Sequence, residues 1–278
     1  MSTTGLKSDF IQGWRHWSNL HHPADFEASL VSELLAEASG QKEPSSSAFK
    51  TKNILEVGCG DGRVLREFAP LSKSVVGVDV NKMLVENLQS ELAEALGLLA
   101  SGNATSSILN VSVDEMSATE LQFNDNSFDL VLFPWSLHQI KDKELALKEA
   151  KRVLVEGGSL VVFGLMPDGE YENVVAELGL DPGAQVDPVA VYEEPLRKVF
   201  GSIAASRRIG RDLDAKRFGF KFASAEEALS AWQWALKNWH EHTADEKQIK
   251  LIDERIRRNT HGEEIFMNIC GKAYLCTT

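Results

Sequence analysis

The sequence predicts an α/β fold: a doubly wound, mostly parallel sheet with helices on both faces. Three observations carry this. Short apolar runs alternate with segments of helical periodicity between residues 53 and 165. The first run, Ile54-Leu-Glu-Val57, breaks at once into Gly58-Cys-Gly-Asp-Gly62 and reopens as a helix, Arg63 to Phe68. Acids then mark successive strands, with Glu56 in the first, Asp79 ending the second and Asp114 ending the third.

In chain order, residues 1–39 read as helical, with Trp14 and Trp17 three apart and Phe26, Leu30, Leu34 and Leu35 at helical intervals. Asp25 is placed to cap the second of these helices. Glu43-Pro-Ser-Ser-Ser47 marks a loop into the first strand. Val75 to Asp79 is the second strand, and Lys82 to Leu99 a helix with Leu84, Leu88, Leu92 and Leu96 four residues apart. A loop over 101–107 leads to strands at Ile108 to Val113 and Phe128 to Phe133. Lys143 to Leu154 is a helix with Leu145, Ala146, Ala150 and Val153 inward, and after Gly157-Gly158 a strand covers Ser159 to Leu165.

Beyond Pro167 the pattern loosens. Val189 to Ala205 reads as a helix and Arg217 to Phe222 as an alternating strand. Ser224-Ala-Glu-Glu227 is a capping box opening a helix through His240. Asp245 to Arg258 is a further helix, and Ile265 to Cys276 holds the terminal strand. Leu229, Trp232, Leu236 and Trp239 form a stripe at steps of three and four, which marks core more than ligand wall. There is no internal repeat. The expected organisation is a helical N-terminal segment over 1–45, an α/β core over 46–167, remaining core elements with a helical cap over 168–262, and the last core strand over 263–278.

Composition excludes several classes. The chain carries 29 Lys and Arg against 41 Asp and Glu, a formal charge of −12, and its two basic clusters, Arg207-Arg208 with Arg211 and Arg255 with Arg257-Arg258, read as solvated helix faces. A nucleic-acid substrate needs a basic track that this balance does not offer. No apolar run reaches the ~18 residues of a membrane span, and the N-terminus does not read as a secretory signal. Cys59, Cys270 and Cys276 show neither paired nor metal spacing, which points to a reducing compartment and a cytoplasmic location. His21-His22 has no third ligand at metal spacing, so no metal is expected.

The glycine loop has two candidate ligands. A dinucleotide fingerprint needs G-x-G-x-x-G. Here the spacing is G-x-G-x-G, Arg63 occupies the third-glycine position, and Asp61 puts an anion where a pyrophosphate would come close. Carboxylates at Glu56, Asp79 and Asp114 suit instead a ligand with hydroxyls and positive charge.

On these residues the chain resembles the class I S-adenosylmethionine-dependent methyltransferases, in their small-molecule, type 11/25-like branch. The resemblance runs from Asn53 to Leu165 through Glu56-Val-Gly-Cys-Gly-Asp-Gly62, Asp79, Asp114-Glu115, Asp125-Asn-Ser-Phe-Asp-Leu-Val131, Leu137-His138 and Ala150 to Gly158. It implies a Rossmann-like sheet of seven strands, S-adenosyl-L-methionine as cofactor, and a metal-independent in-line transfer of a methyl group. It places Glu56, Gly58, Cys59, Gly60, Asp79, Val80, Asp114, Glu115, Met116 and Phe133 around that cofactor. It also implies that the N-terminal segment folds over the cofactor as a lid.

The segment after the fourth strand, Phe133-Pro-Trp-Ser-Leu-His138, faces the transferred methyl in this family. It lacks the Asn or Asp-Pro-Pro-aromatic pattern of nucleic-acid amino methylases and the acids of metal-dependent catechol sites. His138 is the candidate base for a hydroxyl acceptor, against a purely local packing role. Trp14, Trp17, Trp135, Tyr192 and Trp234 are candidate pocket residues, though core packing explains Trp14 and Trp17 more simply. The expected function is methyl transfer to a small, mostly apolar acceptor, on oxygen in preference to nitrogen or carbon, with a protein partner or homodimer left open. The alternative is a non-methylating cofactor-binding member: a partner subunit of a methyltransferase complex, or a pericyclase-like enzyme.

Overall fold

In a computed structural model, which describes residues 9–15, 17, 25–45, 47–100, 110–180, 187–210, 219–261 and 264–278, five strands form the parallel part of a seven-stranded sheet. They are β1 (Asn53–Val57), β2 (Ser74–Asp79), β3 (Val111–Glu115), β4 (Phe128–Pro134) and β5 (Leu154–Leu165). Helices α2 (Arg63–Phe68), α3 (Lys82–Ala100) and α4 (Lys143–Val153) follow β1, β2 and β4, and α1 (Phe26–Ala38) precedes the sheet. Ile54 and Leu55 are wholly buried, as are Val131 to Phe133 and Leu160 to Phe163. Continuous apolar strands of this kind belong to a sheet covered on both faces.

Two strands complete the sheet, β6 (Ala205–Ile209) and β10 (Gly271–Thr277), in the order β3-β2-β1-β4-β5-β10-β6. Strand β10 runs against β5, since Thr278 N–H donates to Gly158 O while Met166 N–H donates to Cys270 O. A second, antiparallel sheet has β7 (Gly219–Phe222), β8 (Thr260–His261) and β9 (Glu264–Asn268) in the order β7-β9-β8. Further helices are α5 (Glu170–Glu177), α6 (Glu194–Phe200), α7 (Ala225–Trp239) and α8 (Glu246–Arg258). No helix among the described residues is long and apolar enough to cross a membrane.

The chain divides into two compact units. One comprises Ala24–Gly164, Pro188–Arg207 and Lys272–Thr278, and is built on the large sheet. The other comprises Met1–Pro23, Leu165–Asp187 and Arg208–Gly271. Its core is aromatic: Trp17 donates its indole N–H to Ala231 O at 2.9 Å and meets Phe220 edge-on at 4.3 Å, while Tyr171 stacks on Trp232 at 4.9 Å. Trp17 and Trp232 are at most 1% exposed. Burying on the order of 200 Å² each, they contribute about 5 kcal/mol apiece as apolar transfer.

Several expectations are corrected. The segment read as one helix from Val189 to Ala205 is a π-helical turn (Val189–Glu193) and α6, and Ala205 opens β6. Arg207-Arg208 therefore lie in a strand, where Arg207 pairs with Glu33 and Glu37 and Arg208 with Asp168. The strand expected at 217–222 belongs to the small sheet as β7, and the terminal strand is broken at Ile269-Cys270 into β9 and β10. The third strand is shifted to Val111–Glu115, and residues 101–109 lie outside the described residues. Leu145 is 42% exposed and Leu147 takes the inward position on α4, while Leu96 is 41% exposed at the far end of α3. Leu229 is only half-buried and Trp239 exposed, so the buried face of α7 is Ala228, Ala231, Trp232, Ala235 and Leu236. Asp25 occupies the N-cap of α1 without a side-chain cap bond, whereas Ser224 does cap α7 by accepting from Glu227 N–H. Asp245 makes with Gln248 a full capping box on α8.

Candidate cofactor site at the glycine loop

Register brings the acids to one edge. Val57 is level with Val78, and Asp79 with Glu115, so the carboxyl ends of β1, β2 and β3 finish together. The loop from Gly58 to Gly62 turns there with φ of +79°, +56° and +79° at its three glycines. Only glycine adopts these angles without strain. Position 58 has a second constraint: a Cβ there would lie 2.5 Å from Cβ of Ser136, whose hydroxyl donates to Val57 O at 2.6 Å.

The loop is tied to β2. Gly58 and Cys59 N–H groups both donate to Val78 O, and Gly60 N–H donates to Asp79 Oδ2 at 2.9 Å. Asn81 N–H donates to Asp79 Oδ1 at 2.8 Å. Asp79 is thereby fixed in orientation by backbone donors. Burial raises its pKa, and the bonds from Asn81, Gly60 and Val80 oppose that rise. Met116 N–H donates to Asp79 O at 3.0 Å, which sets Met116 beside it. Val80 is 69% exposed, and Asp114 and Glu115 are exposed too. Cys59 is buried, with its Cβ and Sγ each 3.0 Å from where a Cβ on Gly77 would stand.

Beneath the loop lies a group of acids around one cation. Arg63 forks onto Glu27 with contacts of 3.0 and 2.7 Å, and the Trp135 indole donates to the same carboxylate at 3.1 Å. Glu67 accepts from Ala28 N–H at 2.7 Å. Burial, then the charge of Glu27, push Glu67 up to about 9. Glu56 is 2% exposed, its Oε2 has no hydrogen-bond partner, and burial pushes its pKa well up despite the opposing charge of Arg63. Glu27, Glu67 and Ser136 were not anticipated. An acid inside an amphipathic helix looks like a surface residue in sequence, so nothing marked Glu27 or Glu67. Asn81 was detectable as the N-cap of α3, since its Oδ1 accepts from Met83 and Leu84 N–H.

The other expected residues are dispersed. Phe133 is wholly buried within β4. Trp135 follows at φ +57°, rare for a non-glycine residue and a conformation that concentrates at functional sites. His138 sits on a 3-10 turn (Leu137–Gln139) with Nδ1 buried and unpartnered, and burial, then Lys143, lower its pKa to about 4. Tyr192 is wholly buried, its ring within 2.6–2.9 Å of where a Cβ on Gly164 would stand. Trp14, Trp17 and Trp234 belong to the other unit, where Trp14 and Trp234 both meet Trp239, at 6.2 and 5.6 Å. His16, His21 and His22 lie outside the described residues, and no metal-ligating group of three or more His, Cys, Asp or Glu occurs among those described.

A methyltransferase-domain family model matches residues 55–162. The O-methyltransferase resE of Aspergillus sclerotiorum is 30% identical over 192 residues, covering 69% of this chain and 68% of resE. The ubiquinone/menaquinone biosynthesis C-methyltransferase UbiE of Pseudoalteromonas translucida is 31% identical over 122 residues, covering 43% of this chain and 45% of UbiE, less than half of either. Among solved structures, YcgJ of Bacillus subtilis superposes with a TM-score of 0.52 at 18% identity, over 84% of this chain and 94% of YcgJ, a likeness of fold. The chain belongs to the S-adenosylmethionine-dependent methyltransferases.

The residues present fit the cofactor of that family. The backbone cradle at Gly58 excludes any side chain, the Asp79 carboxylate is fixed in orientation by backbone donors, and Glu56 carries a buried oxygen without a hydrogen-bond partner. A pyrophosphate fits poorly, because Asp61 is 5% exposed in the loop and the nearby cation, Arg63, is taken by Glu27.

Proposed function

We propose that the protein transfers a methyl group from S-adenosylmethionine to a small, mostly apolar organic acceptor, on oxygen and without a metal. The observation that carries this reading is Asp79, held by the Gly60 and Asn81 N–H groups at the edge where the glycine loop turns. Asp79 would hold the ribose hydroxyls, and the loop backbone would lie along the methionine part. Glu56, Gly58, Cys59, Gly60, Val80, Asp114, Glu115, Met116 and Phe133 complete the proposed cofactor shell. Bound there, S-adenosylmethionine supplies a methyl group on a sulfonium, an already activated electrophile.

The chain's own work is then positioning and exclusion of water, with a base needed only for a hydroxyl acceptor. His138 is the proposed base, acting at Nδ1. With its pKa near 4 it is neutral at pH 7 and able to accept a proton, but it is a weak base. Trp135 and Tyr192 are proposed walls of the acceptor pocket, the Trp135 ring set by its bond to Glu27, whereas Trp14, Trp17 and Trp234 belong to the other unit. A cytoplasmic location belongs to the same reading, since the three cysteines are buried thiols. The names of resE and UbiE attach oxygen and carbon transfer to those proteins, and the preference for oxygen here rests on His138.

The test is to incubate the protein with S-adenosylmethionine and a panel of phenols and alcohols, reading product mass and release of S-adenosylhomocysteine. The reading predicts a product heavier by one CH₂ with matching release of S-adenosylhomocysteine. Conversion of an acceptor at unchanged composition would point instead to a ring-closing enzyme. His138→Ala should lower turnover by about 10²-fold while leaving cofactor affinity intact; unchanged turnover removes His138 as a base.

A further inference from the structure

Glu172 lies in the first turn of α5, on the segment that leaves the carboxyl end of β5. Its side chain is 5% exposed, and neither carboxylate oxygen has a hydrogen-bond partner. Gly169 makes room for it: a Cβ there would fall 2.2 Å from Glu172 Oε2 and 2.9 Å from the Cys270 nitrogen. On the other side of the same segment, a Cβ on Gly210 would lie 3.3 Å from Asn268 Oδ1 and 3.5 Å from Cys270 Cα. Asn268 Oδ1 is likewise buried without a partner. Arg208, two residues before Gly210, pairs through Nη2 with Asp168, which leaves its Nε buried and unpartnered.

A buried polar atom left without a partner costs about 1–3 kcal/mol. Three residues in one neighbourhood of one unit carry such atoms, and none serves the glycine loop. The set is mixed, with acceptors on Glu172 and Asn268 and a donor on Arg208. An ammonium or metal ion would satisfy the oxygens but meet the guanidinium of Arg208. An anion would suit Arg208 but meet Glu172 and Asp168. A hydroxyl both donates and accepts, and is neutral.

We propose that Glu172, with Asn268 and Arg208, is a site within this unit that receives the hydroxyl group of a small neutral ligand. Burial, opposed by the residue's own backbone N–H and aided by the charge of Asp168, pushes Glu172 up to about 8, so near pH 7 it is mostly the neutral acid, with one donor and one acceptor to match a hydroxyl.

The probe is phenol, with toluene as its counterpart lacking the hydroxyl, measured by ligand-observed NMR titration on wild type, Glu172→Gln and Glu172→Leu. Wild type and the Gln variant, which keeps a donor and an acceptor, should prefer phenol over toluene. The Leu variant should weaken phenol about five- to tenfold, the worth of one ordinary hydrogen bond, with toluene unchanged. Equal weakening of both probes, or phenol binding indifferent to the Leu variant, overturns the proposal. So does a Gln variant that is folded but has lost the preference. Calorimetric binding of S-adenosylmethionine should be equal in all three proteins. Phenol binding as stated with no cofactor binding to wild type would sink the methyltransferase reading and leave the hydroxyl site standing.

Discussion

The glycine loop of the large sheet and the Glu172 cluster beside the small sheet both bury acids, but they compensate the cost differently. Around the loop, Glu27 answers Arg63 with two contacts, Asp79 accepts from two backbone N–H groups, and Glu67 caps the start of α1 as a neutral acid. Around Glu172, one ion pair links Arg208 to Asp168, and both carboxylate oxygens of Glu172 stay unmatched. The first arrangement gives a rigid frame on which a fixed cofactor can be held. The second keeps polar capacity in reserve, as a surface that recognises a variable partner requires.

The largest effect expected from breaking this contrast is at Glu27. Glu27→Leu leaves the Arg63 guanidinium without its counter-charge and releases the Trp135 indole, and should lower stability by about 3–5 kcal/mol in urea unfolding. A loss below about 1 kcal/mol would show that Arg63 is not held by that pair. Removing Glu172 should do the reverse: a carboxylate with no partner gives up no hydrogen bond when it is replaced.

Glu67 gives an effect of similar size with a defined sign. Its pKa is raised from 4.5 in the unfolded chain to about 9 in the folded one, so the unfolded chain releases its proton first as pH rises. Its stabilising contribution is full below pH 4.5 and is lost as pH climbs through 9. Glu67→Gln keeps an acceptor for Ala28 N–H and removes that slope. The variant should be more stable than wild type by roughly 3–5 kcal/mol at pH 8 and no different near pH 4, read by thermal unfolding at both. The opposite ordering would mean that Glu67 is ionised in the folded protein. The smallest effect is expected in the second unit, where Asp245→Ala removes the capping box of α8 and should cost about 1 kcal/mol.

Legibility followed the range of the contacts. Between residues 53 and 165, β1, β2 and β4 each sit beside a helix in sequence and carry an apolar run, so the fold was readable directly, whereas the sequence pattern places the largely exposed β3 three residues too early. β6 was not readable, because Ala-Ser-Arg-Arg-Ile looks like a charged helix end. It is the outermost strand of the sheet, where charged side chains are favoured, and its arginines are matched by Glu33, Glu37 and Asp168 from distant parts of the chain. The break between β9 and β10 was hidden inside one apolar run, Ile265 to Cys276, because strand periodicity does not say which sheet a strand joins. Glu27, Glu67 and Glu172 escaped for the same reason: their meaning comes from residues tens of positions away.

The central claim is that the glycine loop and Asp79 hold S-adenosylmethionine and not a dinucleotide. Titration calorimetry of S-adenosylmethionine and of NAD into wild type and Asp79→Ala tests it directly. The account predicts saturable binding of S-adenosylmethionine to wild type, none of NAD, and at least a tenfold loss of the former in the variant, since charge-assisted hydrogen bonds contribute roughly 1.5–3 kcal/mol each. Binding of NAD, or S-adenosylmethionine binding that survives Asp79→Ala unchanged, would contradict it.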